Sequence, residues 1–237
     1  MKICLIGDSR LGAIKLALDE GLVDLGKHEI SFFAAVAGWA RNFKFTKAAI
    51  RPGAASDVAF STEGKFSEVR ADAFDVLVFY ATKFGLSRWA RPNIGTIEQR
   101  AHFTDAFLAQ CVEMKIANSF CMRFAYLAAT TPGWPTKLIV CPAPAQAAPR
   151  DGSDEGPPLL DVNDLNAEAD RLCKDIGVRY VPQPANTLTP DFYTDLSYSI
   201  GSRRYIAGHP THPSDDRKHM NAAFGALMLR DILAALD

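Results

Sequence analysis

The chain has 237 residues and a formal charge of -1, with 26 Lys and Arg against 27 Asp and Glu. Hydrophobic residues make up 48% of the sequence, which excludes wholesale disorder and indicates a single domain over 1–237. No run of Lys or Arg exceeds two residues, so we expect no nucleic-acid partner. The five cysteines are scattered without a CxxC pair, and no apolar stretch suits a signal peptide or a membrane span. We therefore expect a cytoplasmic protein with reduced cysteines and no membrane partner.

Short apolar runs alternate with longer helical patterns along the chain, which predicts a parallel sheet with helices on its faces. The predicted strands are Lys2–Ile6, Glu29–Val36, Asp75–Tyr80, Lys137–Cys141 and Val178–Val181. The predicted helices are Arg10–Leu25, two helices within Gly95–Thr130 broken near Asn118, Asp164–Ile176 and Asn221–Leu236. A minor hairpin is expected from the segments ASDVAFS and KFSEVR, between 51 and 69. The Ala- and Pro-rich stretch 143–158 is predicted to be a mobile loop beside a site, or a tolerated insertion.

The first predicted strand runs directly into the sequence GDSRLG at 7–12. This block places the Ser9 hydroxyl where a strand hands over to a helix, and there free N–H groups and the helix dipole favour a developing anion. Ser9 is therefore a candidate nucleophile. The alternative is that Ser9 or Asp8 caps the helix. Phosphate binding is a lesser alternative, because the specific Gly-rich nucleotide fingerprints are absent.

A second block precedes the last predicted helix, where Asp216 and His219 stand three residues apart. If this segment forms a single helical turn, the Asp216 carboxylate can accept a hydrogen bond from the His219 imidazole and fix its tautomer. The other ring nitrogen is then free to deprotonate a hydroxyl. The alternative is that Asp215 or Asp216 caps the last helix and His219 is merely exposed.

Together the two blocks, GDSRL at 7–11 and DRKH at 216–219, resemble those of the SGNH/GDSL hydrolase superfamily. In that superfamily a Gly-Asp-Ser-x-Leu block follows the first strand and an Asp-x-x-His block precedes the last helix. The resemblance spans essentially the whole chain and implies an α/β fold, the flavodoxin-like three-layer arrangement with helices on both faces of a parallel sheet. It also implies that Ser9 is the nucleophile, His219 the general base and Asp216 its orienting partner.

The resemblance is incomplete at the oxyanion hole. The family uses the N–H of the nucleophile, a Gly after the second strand and an Asn after the third, and Ser9 and Gly38 match the first two. After the third predicted strand the sequence reads ATKFG, so the Asn is missing. Lys83, Thr82 or Asn42 are the candidate replacements. Since one oxyanion donor is worth about 2.7–4 kcal/mol, this departure bears on whether the protein is an active enzyme.

Other residues are candidates for contacting substrate, and each also has a plain structural explanation. The Trp residues that follow the second and third strands suit an apolar or sugar-stacking wall, or ordinary packing. His209 and His212 are spaced like metal ligands but lie among prolines without a recognisable third ligand, so no metal is expected and His212 is expected to line the site. Arg88, Arg91, Arg203 and Arg204 suit an anionic group or a solvated face. The candidate substrate contacts are Asp8, Arg10, Trp39, Thr82, Lys83, Trp89 and His212.

These observations predict a serine esterase without a cofactor that hydrolyses a small acyl ester. By analogy with the family, the first expectation is acetyl on a carbohydrate. An acyltransferase of the same chemistry is one alternative. A non-catalytic binding protein of the same fold is another, which the missing Asn favours, and flavin or nucleotide binding is a remoter form of it. The acyl group, the leaving group and the oligomeric state are not predicted.

Overall fold

The computed structural model describes residues 1–35, 39–53, 58–90, 104–135, 137–150, 160–204 and 210–236. A five-stranded sheet of order β2-β1-β6-β7-β8, parallel throughout, runs through this part of the chain. Its strands are β1 (Lys2–Asp8), β2 (Glu29–Ala35), β6 (Val76–Tyr80), β7 (Lys137–Cys141) and β8 (Arg179–Tyr180). The helices are α1 (Gly12–Asp19), α2 (Ala59–Thr62), α3 (Leu86–Ala90), α4 (Asp105–Ala117), α5 (Phe120–Thr130), α6 (Val162–Asp175) and α7 (Ala222–Ala234). Within the described ranges, no helix is long and apolar enough to cross a bilayer.

Both faces of the sheet are covered by helices, because the central strands are apolar at every position. In β1, alternate residues such as Cys4 and Ile6 pack with α5 and α6, whereas Ile3 and Leu5 pack with α1 and α7. Strand β6 is buried at all five positions. A strand buried on both faces reads as a continuous apolar run, which is why these strands were predictable. The expected three-layer α/β fold is confirmed.

A second sheet corrects the prediction of a hairpin between 51 and 69. Strands β3 (Lys44–Phe45) and β4 (Ala49–Arg51) form an antiparallel hairpin, and β5 (Val69–Arg70) pairs with β4. Of the predicted strand segments, ASDVAFS contains the short helix α2, and residues 54–57 lie outside the described residues. The apolar residues Ile50 and Val69 explain the pairing, because both belong to the same buried cluster.

Several element boundaries also differ from the predictions. The predicted helix Arg10–Leu25 is a 3-10 turn (Ser9–Leu11) followed by α1, which ends at Asp19 because Gly21 adopts a positive φ of 68°. The break near Asn118 is confirmed, and Ser119 caps the second helix through its hydroxyl, which accepts from the N–H of Met122. Residues 91–103 lie outside the described residues.

The first half of the predicted mobile loop 143–158 is packed against the protein. Ala143, Ala145 and Ala147 are buried, and the N–H of Ala147 donates to the carbonyl of Arg217 at 2.8 Å. Small side chains let this irregular segment lie close to its neighbours, a reason that composition alone did not reveal. Residues 151–159 of that loop lie outside the described residues.

The first and last helices touch at a glycine. A Cβ atom built on Gly225 of α7 would lie 2.0 Å from the carbonyl oxygen of Ala13 in α1. The two helix backbones therefore approach more closely than any side chain permits. This contact holds α7, and the segment that leads into it, beside the start of α1.

We predict that Gly225→Ala destabilises the protein. Alanine is favoured over glycine in a helix interior by about 1 kcal/mol, but forcing α1 and α7 apart costs about 1–3 kcal/mol and more where backbone must move. The free energy of unfolding, measured by urea denaturation, is expected to fall by at least about 2 kcal/mol. Ala223→Ser, on the exposed side of the same helix, is the matched control and should change it little. An unchanged or raised stability in Gly225→Ala would contradict the close contact.

Candidate active site

The carboxyl ends of β1 and β6 form the floor of the site. Gly7 in β1 pairs with Tyr80 in β6, and a Cβ on Gly7 would lie 2.6 Å from the Tyr80 carbonyl oxygen. Only glycine fits this approach without displacing β6. The chain then turns directly into Ser9, so the close strand contact fixes where the Ser9 side chain begins.

Asp8, not Ser9, caps the following turn. The Asp8 carboxylate accepts a hydrogen bond from the N–H of Arg10 at 3.0 Å and a second from the Arg10 guanidinium at 2.7 Å. Asp8 is buried, and this pairing satisfies its charge. The capping alternative considered for Ser9 therefore falls to its neighbour. The Ser9 hydroxyl is left to bond elsewhere.

Ser9, His219 and Asp216 form a continuous chain of hydrogen bonds. Ser9 Oγ lies 2.9 Å from His219 Nε2, across 210 residues of sequence. On the other side of the ring, His219 Nδ1 lies 2.8 Å from Asp216 Oδ2. Asp216 Oδ1 accepts from the N–H groups of Lys218 and His219 at 2.8 and 3.0 Å. The geometry allows Nδ1–H to donate to Asp216 while Nε2 accepts from the Ser9 hydroxyl.

The conformation of the segment 213–219 differs from the helical turn considered for it. No helix is assigned there, and the Asp216 carboxylate itself closes the turn by binding two backbone N–H groups. Asn221 caps α7 instead of Asp215 or Asp216, and its amide also donates to the carbonyls of Ser197 and Ile200. Burial alone would raise the pKa of the Asp216 carboxyl, but the hydrogen bonds from His219 and from the backbone outweigh it and lower that pKa. Asp216 therefore stays ionised beside the imidazole.

His212 lies behind the His219 ring, and it does not line the cleft as expected. The two imidazoles are parallel within 4°, with centroids 4.1 Å apart, and His212 Nδ1 lies 3.3 Å from Asp216 Oδ2. Burial lowers the pKa of His212, and the nearby His219 and Arg204 lower it further against the opposing effect of Asp216. A neutral His212 can donate a second hydrogen bond to the same carboxylate oxygen.

His212, Asp216 and His219 also bring three metal-ligand atoms within 4.8 Å of one another. The lone pair of an imidazole nitrogen lies in the plane of its ring. Two parallel rings stacked 4.1 Å apart therefore cannot both aim a lone pair at one ion unless a ring rotates. The arrangement suits a shared carboxylate better than a shared metal ion.

The turn after β6 holds two residues in the left-handed region. Ala81 has a φ of 64° and Lys83 a φ of 50°, although neither is glycine. Between them, Thr82 spends both its N–H and its hydroxyl on the Tyr80 carbonyl, at 2.7 and 3.3 Å. Of the three replacements considered for the missing Asn, Thr82 thus has its donors committed. Lys83 lines the cleft, whereas Asn42 does not.

A cleft of about 600 Å³ opens over the Ser9–His219 pair, and the residues around it extend the sequence-based set. Trp89 is among them, packed against Phe84 with ring centroids 5.9 Å apart. Lys218 was missed, although its position next to His219 was a usable signal. The lining residues are Asp8, Ser9, Arg10, Ala81, Thr82, Lys83, Phe84, Gly85, Trp89, Ala143, Lys218 and His219.

Other candidates lie elsewhere or cannot be placed. Gly38, His209 and Arg91 lie outside the described residues, as do the side chains of Trp39 and Arg88. Arg203 forms an ion pair with Glu20, and the N–H of Arg204 bonds to the Pro210 carbonyl.

Comparisons with known proteins find similar chain courses at low identity. A carbohydrate acetylesterase family member from Sinorhizobium meliloti is 13% identical, with 99% of this chain and 96% of that chain covered and a TM-score of 0.44. An acetyl xylan esterase, AlAXEase, is 16% identical, with 100% of both chains covered and a TM-score of 0.44. The periplasmic domain of a lipopolysaccharide acetyltransferase from Salmonella ser. Paratyphi A is 11% identical, with 99% and 83% covered and a TM-score of 0.43. No family model and no curated protein matches the sequence. Likenesses this weak carry no conclusion about activity.

We predict that Lys83→Gly stabilises the protein. A left-handed conformation costs a non-glycine residue about 1–2 kcal/mol, while glycine adds about 0.5–1 kcal/mol of conformational entropy cost. The free energy of unfolding should therefore rise by about 0.5–1 kcal/mol in urea denaturation. Lys47→Gly, in an exposed turn without a positive φ, is the control and should lower it. Destabilisation of Lys83→Gly to the same extent as the control would contradict the strained backbone.

We also predict that His212 makes stability depend on pH. Its pKa is lower in the folded protein than the ordinary 6.5, so the unfolded chain binds a proton that the folded site resists. The contribution is complete above pH 6.5 and is lost as pH falls through the lowered value. Between pH 7.5 and 5.5, the free energy of unfolding should fall further in the wild type than in His212→Asn. Equal falls in urea denaturation would contradict this prediction.

Proposed function

We propose that this protein is a serine esterase of the SGNH/GDSL type that hydrolyses a small acyl ester. The observation that carries the proposal is the hydrogen-bond chain from Ser9 Oγ through His219 to Asp216, at 2.9 and 2.8 Å. A hydroxyl bonded to an imidazole whose other nitrogen faces a carboxylate is the arrangement that nucleophilic acyl transfer needs.

In the first half of the reaction, Ser9 Oγ forms a bond to the ester carbonyl carbon while its proton passes to His219 Nε2. The carbonyl π electrons move to the oxygen, whose negative charge the N–H groups of Ser9 and Gly38 would stabilise. The intermediate collapses when Nε2 returns the proton to the leaving oxygen, so that an alcohol departs and an acyl-enzyme remains. Asp216 stabilises the imidazolium that exists between these two proton transfers.

In the second half, water attacks the acyl carbon and gives a proton to His219 Nε2. That proton then returns to Ser9 Oγ as the carboxylic acid leaves. Acetyl is the proposed acyl group and a carbohydrate the proposed alcohol, on the strength of the family resemblance and of Trp89 at the cleft, whose ring could stack on a sugar. A fold alone does not determine a substrate, so this finer assignment needs its own test.

The test is covalent labelling with a fluorophosphonate probe, followed by intact-mass spectrometry. We expect one adduct on the wild type and none on Ser9→Ala or His219→Ala, because the first lacks the nucleophile and the second lacks its base. Hydrolysis of 4-nitrophenyl acetate should fall at least about 10³-fold in both variants. Ser197→Ala, an exposed serine elsewhere, is the control and should label normally. A folded wild type that takes no label would refute the esterase and favour a binding protein.

A further inference from the structure

The charges around the cleft are unbalanced, although the whole chain is nearly neutral. Three cationic side chains line it, from Arg10, Lys83 and Lys218, against the single carboxylate of Asp8. Arg10 is already paired with Asp8 at 2.7 Å. Among the residues that the structure describes, the two lysine ammonium groups have no ion-pair partner. The cleft therefore presents two uncompensated positive charges.

These two lysines flank the proposed reacting atoms from different elements. Lys218 is the chain neighbour of His219, and Lys83 sits on the strained turn beyond the end of β6. Asp216, the nearest further carboxylate in that segment, is bound by His219 and by two N–H groups, so it does not neutralise Lys218. Backbone strain of the kind seen at Lys83 persists mainly where function needs the side chain in that place.

We propose that the cleft selects esters whose alcohol portion carries an anionic group, a carboxylate or a phosphate. The inference rests on the proposed esterase function and specifies its substrate class. His219 returns its proton to the leaving oxygen, so the leaving alcohol lies on the His219 side of the cleft, next to Lys218. An anion on that alcohol meets positive charge in a partly enclosed cleft, where such attractions are less screened than on an open surface.

A matched pair of substrates tests the proposal: 4-acetoxybenzoate and its methyl ester, which share the acetyl group and the ring. Their kcat/KM ratio, divided by the ratio of their hydroxide-catalysed rates, should favour the anion about tenfold in the wild type. Lys83→Met and Lys218→Met should each lower that preference, and the double variant should bring it near 1. Added salt should lower it as well.

Lys27→Met is the control, because it removes one exposed positive charge near the amino ends of the strands and should leave the preference unchanged. A wild-type preference near 1 overturns the proposal. If Lys83→Met slows both esters equally, Lys83 acts on the oxyanion rather than on a substrate anion, and its part in the proposal is wrong.

A binding measurement separates this proposal from the esterase itself. In Ser9→Ala, which cannot form an acyl-enzyme, calorimetric titration should show tighter binding of 4-hydroxybenzoate than of its methyl ester. That difference should disappear in Ser9→Ala combined with Lys83→Met and Lys218→Met. Normal fluorophosphonate labelling of the wild type without this difference would overturn the anion site and leave the esterase standing. The difference without any labelling would mark an anion-binding protein and overturn the esterase.

Discussion

The backbone contact between α1 and α7 at Gly225 is the constraint on which the site depends. Ser9 stands just before α1 and His219 just before α7, so the positions of the two helices decide whether residues 210 apart in sequence can share a hydrogen bond. The space for a Cβ at Gly225 is taken by the Ala13 carbonyl. Gly7 imposes a similar constraint on the floor of the site, where β1 approaches β6. Two residues without side chains thus set the distance between two that carry the chemistry.

The electrostatics of the site centre on one carboxylate. Asp216 receives two backbone N–H groups and faces two imidazoles, so its ionised form is strongly favoured. Because the rings of His212 and His219 are stacked, a positive charge on one disfavours a positive charge on the other. The more buried His212 is the one kept neutral. The carboxylate can then stabilise the imidazolium that forms on His219 when Ser9 loses its proton.

Much of the fold was readable from the sequence, because buried parallel strands such as β6 are uninterrupted apolar runs. Ser9, Asp216 and His219 were also readable, since residue type and chain order carry that signal. The role of His212 was not, because a parallel ring stack depends on how the segment 210–219 packs. The second sheet was misplaced for a related reason. Its strands are two or three residues long, and tertiary contacts of Ile50 and Val69 decide their pairing more than local propensity does.

The turn after β6 shows most clearly what a sequence hides. The letters ATK contain neither Gly nor Asn, so nothing in them predicts left-handed backbone at Ala81 and Lys83. The neighbours impose it: the N–H of Ala81 bonds to the Cys141 carbonyl, and the Phe84 carbonyl accepts from Ala143, so β7 and the segment after it hold both ends of the turn. The stability spent on this conformation sets Lys83 at the rim of the cleft. Where the resemblance expected a neutral amide, the chain therefore offers a positive charge, and a charge discriminates among substrates in a way that an amide does not.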